Sequence, residues 1–257
     1  MSNQVVLVEK KDRVSTLTLN RPEKKNALNL EMIGALQAEV DRISGSEEVR
    51  VLIIQGAGDA FCSGVDKSFL LEDRSASFWL DLMRRVGRLI RSLREMPQPI
   101  ITKLRGVAYG AGANLALAGD FVLAADNARF RENFIHLGLV LGAGGTYFLP
   151  RLVGMAKARE LAMLGEEIDG RTAAAIGLAY KSVSDEVLDL EVTDLAAGLI
   201  AKPFTALALI KTGLEKSLDE SLDQILDWEA AHQAVMLQTP THKEAVQRFL
   251  GRRHQVK

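Results

Sequence analysis

Three glycine-bearing bends hold the residues best placed to do chemistry: Gly56-Ala57-Gly58 running on to Asp66, Gly106 to Gly112, and Gly142-Ala143-Gly144-Gly145-Thr146. In the second, the apolar run Ile100-Ile101-Thr102 breaks at Gly106 and is followed by Leu115-Ala116-Leu117-Ala118, good helix material. A strand that turns through glycine into a helix start leaves backbone N–H groups unpaired and aims them at whatever docks there. Glycine at 110 and 112 implies a positive φ or a close approach to the backbone. The chemistry on offer is anion binding by main-chain donors. The same stretch also reads as a tight β-to-α turn without a ligand.

Other reactive residue types form no site in the sequence. Gly110-x-Gly112 lacks the third glycine of a dinucleotide fingerprint, because Leu115 stands there. Cys62 has no histidine close in sequence and reads as structural. His136, His232, His242 and His254 show no ligand spacing, so no metal is expected. Arg84, Arg88 and Arg91 recur at i, i+4 and i+7; they form a ridge that could grip a phosphate, or simply a solvated or subunit-facing helix side.

The elements that must position the bends alternate between strand and helix. Val5–Val8 and Val14–Leu19 read as a hairpin around the polar turn Glu9–Arg13. Asn29 caps a helix with Met32, Ile33, Leu36, Val40 and Ile43 on its apolar side. Val49–Ile54 is a buried strand, Phe78 to Met96 a helix, and Phe121–Ala125 a further strand. Helices follow near Tyr147, over Met155 to Leu164, and briefly over Ala173–Ile176 before Gly177. Beyond Pro203 the spacing is helical throughout, which divides the chain into residues 1–200 and 201–257. The alternation predicts an α/β fold with largely parallel pairing, its glycine bends gathered on one side of the sheet.

Bulk properties narrow the function. The chain has 257 residues, 47% of them hydrophobic and 25% charged, enough for a sizeable core. A net charge of -1 offers no footprint for nucleic acid, so RNA binding rests on the arginine ridge alone. One cysteine excludes an internal disulfide framework and fits a reducing compartment. The first residues carry no signal-peptide pattern, and no stretch approaches the ~20 apolar residues of a membrane span. A cytoplasmic protein with no membrane partner is expected.

Taken together, several motifs resemble the crotonase (enoyl-CoA hydratase/isomerase) superfamily. They are Asn20-Arg21-Pro22 with Lys25-Asn26-Ala27-Leu28; Gly56-Ala57-Gly58 with Phe61-Cys62-Ser63-Gly64-Val65-Asp66; and Gly106-Val107-Ala108 with Gly110-Ala111-Gly112. The likeness continues through Gly119-Asp120, Gly138-Leu139, Gly142 to Thr146, Leu149-Pro150-Arg151 and Val153-Gly154, in the family's order over nearly the whole chain. From Gly106 to Gly165 it is nearest the enoyl-CoA and ring-epoxide isomerases of phenylacetate breakdown. The resemblance implies a spiral of ββα turns, then a helical C-terminal region that builds a homotrimer or a dimer of trimers. It implies an acyl-CoA substrate and no cofactor beyond the coenzyme A of that substrate. The amides of Val65 and Ala111 would form an oxyanion hole for the thioester carbonyl. Lys25, Ala27, Leu28, Ala60, Cys62 and Val65 would line the path of CoA, and Phe249 would reach the CoA, often that of a neighbouring subunit.

The chain departs from the family where proton transfer occurs. The two glutamates of the hydratases fall on Asn114 and Phe134, and the carboxylate of related isomerases falls on Gly142. None of these can move a proton, which argues against efficient hydration, and the Phe134 ring would dry the pocket. Candidate replacements are Glu132, Asp66, Glu72, Asp73 and His136. Glu132 would point to a different side from Phe134 if that segment is helical. Asp66 matches a residue that is commonly structural in the family, while Asn114 is expected to position substrate or water. The reading is an acyl-CoA enzyme that stabilises an enolate and shifts a double bond. The alternatives are hydration with an unusual base, decarboxylation, or a CoA-thioester-binding protein without catalysis.

Overall fold

The computed structural model describes residues 4–70 and 73–253. Its first hairpin is tighter than the polar stretch 9–13 implies. Strands β1 (Val6–Lys11) and β2 (Val14–Leu19) pair antiparallel with Lys11 opposite Val14. The reversal is therefore Asp12-Arg13 alone, with φ of 47° and 68°. Two left-handed residues give a turn whose twist matches the strands, so Glu9 to Lys11 stay in the ladder. On β2, Ser15, Leu17 and Leu19 face inward at the period of a half-buried strand.

The next helix, α1 (Leu30–Ser44), starts where the Asn29 side chain accepts from the Met32 amide at 2.8 Å. It buries Met32, Ile33, Leu36, Val40 and Ile43, the side its periodicity predicts. Strands β3 (Val51–Gly56) and β4 (Ala60–Cys62) lead to the short helix α2 (Lys67–Leu70) and the long α3 (Ala76–Glu95). The pattern repeats with β5 (Ile100–Leu104), β6 (Val107–Tyr109) and α4 (Ala111–Leu117). A third winding has β7 (Phe121–Ala125), β8 (Arg129–Arg131) and α5 (Gly145–Leu164). The two helices expected around Tyr147 and after Met155 both fall within α5, which is broken at Gly154. After it come β9 (Glu167–Asp169), α6 (Gly170–Ala175), β10 (Lys181–Val183) and α7 (Leu188–Ile200).

Each winding sends one strand to each of two sheets. The larger runs β1-β2-β3-β5-β7-β10 and the smaller β4-β6-β8-β9. Only the β1/β2 and β8/β9 pairs are antiparallel. The result is an α/β spiral of ββα turns whose core is filled by side chains such as Leu17, Leu52, Ile100 and Ile101. Arg84, Arg88 and Arg91 all lie exposed along α3.

The chain divides into two compact units, Met1–Leu199 and Ile200–Lys257. The second contains α8 (Phe204–Lys216), α9 (Leu222–Met236) and α10 (Pro240–Arg253). Neither α8 nor α9 has a buried residue, and Leu214, Leu222 and Val235 are each about two-thirds exposed or more, at 65%, 72% and 67%. No single helix among the described residues is long and apolar enough to cross a membrane.

The loop between β2 and α1 is held by one buried side chain. Asn26 adopts φ 54°, accepts from the Arg21 amide at 2.9 Å, and donates to the carbonyls of Ala57 and Ala60 at 2.9 and 2.7 Å. That clip joins the loop to the β3–β4 turn. Alanine there would leave those three backbone groups unpaired in a left-handed residue. Asn26→Ala is expected to lower the unfolding free energy by about 2–4 kcal/mol. Urea titration would register this as a lower midpoint with an unchanged slope.

Candidate active site

The segment from β6 into α4 is shaped by two glycines with different duties. Gly110 sits at φ 52°, ψ -119°, a conformation open to glycine and strained for residues with a Cβ, and its amide donates to the Arg131 carbonyl at 2.8 Å. Gly112 meets the other requirement, close approach: a Cβ there would lie 2.3 Å from the Cys62 carbonyl oxygen. Helix α4 therefore begins directly against β4. A Cβ on Gly64 would stand 3.7 Å from the Ala111 nitrogen, so the turn carrying Val65 adjoins the first residue of α4.

Around Val65 the backbone is otherwise paired. The Ser63 amide donates to Lys25, the Leu28 amide to Gly64, and the Asp66 amide to Leu28, at 2.8–2.9 Å. Among the described residues, the Val65 and Ala111 amides find no backbone acceptor. Unpaired amides at a helix start and in the turn beside it are donors open to an accepting group. An oxygen that gains negative charge during a reaction has that character.

The three empty acid positions converge. Asn114, three residues into α4 from Ala111, is fully buried, and its Nδ2 donates to the Gly142 carbonyl at 2.9 Å. The half-buried Phe134 ring lies 3.4 Å from where a Cβ on Gly142 would be and 3.5 Å from where one on Gly110 would be. Into this cluster comes the carboxyl of Glu132, 3.2 Å from Asn114 Nδ2. The expectation that Glu132 points elsewhere fails because its segment is not helical. Glu132 follows the last residue of β8 directly and precedes the turn at Asn133-Phe134, with the 3₁₀ turn beginning at Ile135. Phe130 on β8 and Glu132 just past its end are both buried, at 2% and 1% exposure. A charged residue in step with a buried aromatic was the available sign.

Burial pushes the Glu132 carboxyl from its ordinary 4.5 up to about 8, against a weaker lowering by the Asn114 hydrogen bond. Its Oε1 and the Oδ1 of Asn114 are both sealed from solvent without a partner. The remaining candidates are committed elsewhere. Asp66 is buried, which alone would raise it, but hydrogen bonds from Ser68 and Arg21 hold its carboxyl below the ordinary value. It pairs with Arg21 at 2.8 Å. His136 lies 3.0 Å from the Gly165 carbonyl, Asp73 is exposed, and Glu72 lies outside the described residues. Of the residues expected on the CoA path, Lys25 is exposed, while Ala27, Leu28, Ala60 and Cys62 are buried along the backbone pairing just described. Burial drives the Cys62 thiol up to about 12, which leaves no nucleophilic thiolate. Phe249 is 61% exposed on α10 in the second unit. No group of three metal-ligating side chains occurs among the described residues.

This geometry coincides with a family assignment. The enoyl-CoA hydratase/isomerase sequence profile matches residues 9–256, and the chain belongs to that family. It is 37% identical over 247 residues to the 1,2-epoxyphenylacetyl-CoA isomerase of Escherichia coli K12, covering 93% of each chain. It is also 37% identical over 256 residues to a probable enoyl-CoA hydratase of Rhodobacter capsulatus, covering 98% of this chain and 97% of that one. The crystal structure of an enoyl-CoA hydratase from Mycobacterium smegmatis superposes with a TM-score of 0.93 at 29% identity, covering 96% of both chains.

Glu132 links stability to pH. An unfolded glutamate loses its proton near 4.5, whereas the folded one keeps it to about 8, so the native state binds the extra proton in between. Its contribution to stability is complete below the lower value and is lost as pH rises to the upper one. Glu132→Gln cannot titrate. The stability of the native protein relative to this variant is expected to fall between about pH 5 and about pH 8 and then level off, as denaturant titrations across that range would report.

Proposed function

We propose that this protein acts on acyl-CoA thioesters and moves a double bond along the acyl chain through an enolate held by the amides of Val65 and Ala111. The carrying observation is the pair of unpaired amides beside a site where Asn114 and Phe134 stand in for the proton-transferring carboxylates of hydration. Each amide donor to a developing oxyanion typically lowers the barrier by roughly 2.7–4 kcal/mol. Positioned acid–base groups contribute about 10²–10⁴-fold each, so losing both glutamate positions weighs against adding water. The likeness to a 1,2-epoxyphenylacetyl-CoA isomerase supports isomerase chemistry, and the equal likeness to a probable enoyl-CoA hydratase makes hydration the reading to test against it. In this reading Lys25, Ala27, Leu28, Ala60 and Cys62 line the path of CoA, Phe249 contacts it, and Asn114 orients the acyl group.

The test is a mixed panel of 2-enoyl- and 3-enoyl-CoA incubated with the protein in heavy water and followed by mass spectrometry. A shifted double bond with no added water is the expected result, and the deuterium content of the product reports whether the transferred proton exchanges on the way. Addition of water would make the protein a hydratase despite Asn114 and Phe134. Binding with neither a shifted double bond nor exchange would leave decarboxylation or a CoA-thioester-binding role, which a carboxylated acyl-CoA would separate.

The exposed apolar side chains of α8 and α9 support self-association. Sedimentation equilibrium is expected to give three or six times the chain mass; a monomer at micromolar concentration would refute this.

A further inference from the structure

Two acidic side chains are buried among the described residues, and only one of them is ion-paired. Asp66 has Arg21 and Ser68; Glu132 has the Asn114 amide on one oxygen and nothing on the other. An unpaired carboxyl in the interior is costly unless it serves a purpose, and such groups concentrate at functional sites. The position of Glu132 supplies the purpose. Asn114 lies in the first turn of α4, the helix that begins at Ala111. The carboxyl is therefore one hydrogen bond removed from the helix turn that the Ala111 amide opens. Among the described residues, Glu132 is the acid that hydrogen-bonds into the cluster formed by Asn114, Phe134 and Gly142.

We propose that Glu132 is the acid–base residue of this site, entering from the end of β8 to replace the proton-transferring carboxylates that the chain lacks at 114, 134 and 142. The inference rests on the isomerase reading above. In the ionised form Glu132 takes a proton from C2 of a 3-enoyl thioester. The C2–H electron pair moves into a C1–C2 π bond, and the thioester oxygen accepts the charge beneath the Val65 and Ala111 amides. The same carboxyl then returns the proton at C4 as the electrons move back, leaving C2=C3 in place of C3=C4. One proton leaves and one returns, so no co-reactant is required. Asn114 Nδ2 holds one carboxyl oxygen throughout and leaves Oε1 for the transfer.

The surroundings favour a single titration. Helix α4 has no ionisable residue between Ala111 and Leu117, and the 142–145 turn is Gly-Ala-Gly-Gly. Cys62 on β4 is a neutral thiol. On Glu132's own segment, Arg131 and His136 turn to the Gly165 carbonyl. On α5, Arg151 lies over the Tyr147 ring. The active fraction therefore follows Glu132 itself, whose carboxyl burial has lifted to about 8.

The experiment compares the native protein with Glu132→Gln and Glu132→Asp, using 3-enoyl-CoA turnover across pH and binding of a saturated acyl-CoA by calorimetry. In the native protein kcat/KM is expected to rise with pH up to about 8. Glu132→Gln is expected to lower kcat at least about a hundredfold with the binding constant within about threefold, and to abolish that rise. Glu132→Asp should retain partial turnover with the rise present, which a purely structural role would not produce. Turnover within about threefold of native in Glu132→Gln, or an unchanged pH rise, would overturn the inference while leaving the isomerase reading intact. A native protein that adds water, with Glu132→Gln inactive, would overturn the isomerase reading and keep Glu132 as its acid–base group. A native protein that turns over no thioester would overturn both.

Discussion

Everything at the site depends on how closely α4 lies on β4. At Gly112 a single added carbon would stand 2.3 Å from the Cys62 carbonyl oxygen, so nothing separates helix backbone from strand backbone. That contact sets the height of Ala111 above the turn holding Val65. Gly110, in a conformation that strains residues with a Cβ, turns the chain so that the helix starts there. A helix packed through side chains would sit further off, and Ala111 would no longer adjoin the turn that carries Val65.

The interior treats its polar groups in two ways. Asn26 is buried with both amide hydrogens and its oxygen paired to backbone, and it serves as a fixed clip between loop and turn. Asn114 and Glu132 are equally buried but leave one oxygen each without a partner. Complete pairing rigidifies, whereas incomplete pairing in a low dielectric stores a large response to an arriving proton or dipole. The first arrangement positions the second.

Local rules read most of the scaffold well. The cap at Asn29, the apolar stripe of α1 and the strand at Phe121–Ala125 each follow from short-range periodicity and are present as read. The need for glycine at 110 and 112 was legible too, although which glycine answers to φ and which to contact depends on the partner strand, fifty residues away. Glu132 was harder. Its side is decided by where β8 ends and the chain turns, and nothing in Glu132-Asn133-Phe134 marks that point strongly. Long-range pairing of β8 with β6 and β9 carries the strand to Arg131, so Glu132 comes before the turn at Asn133-Phe134, and that pairing is invisible to a local window.

The spiral connectivity has an evolutionary consequence. Val65 follows the β4 strand, Ala111 the β6 strand and Glu132 the β8 strand, so consecutive windings place them past the ends of neighbouring strands of the smaller sheet. Between those strand ends the chain leaves the sheets, as it does in α2. Descendants of such a chain can gain or lose residues in these excursions without shifting the register of any paired strand. Insertions and deletions, rather than point substitutions, then become the natural route by which the surroundings of these strand ends diverge while the strand ends themselves stay put.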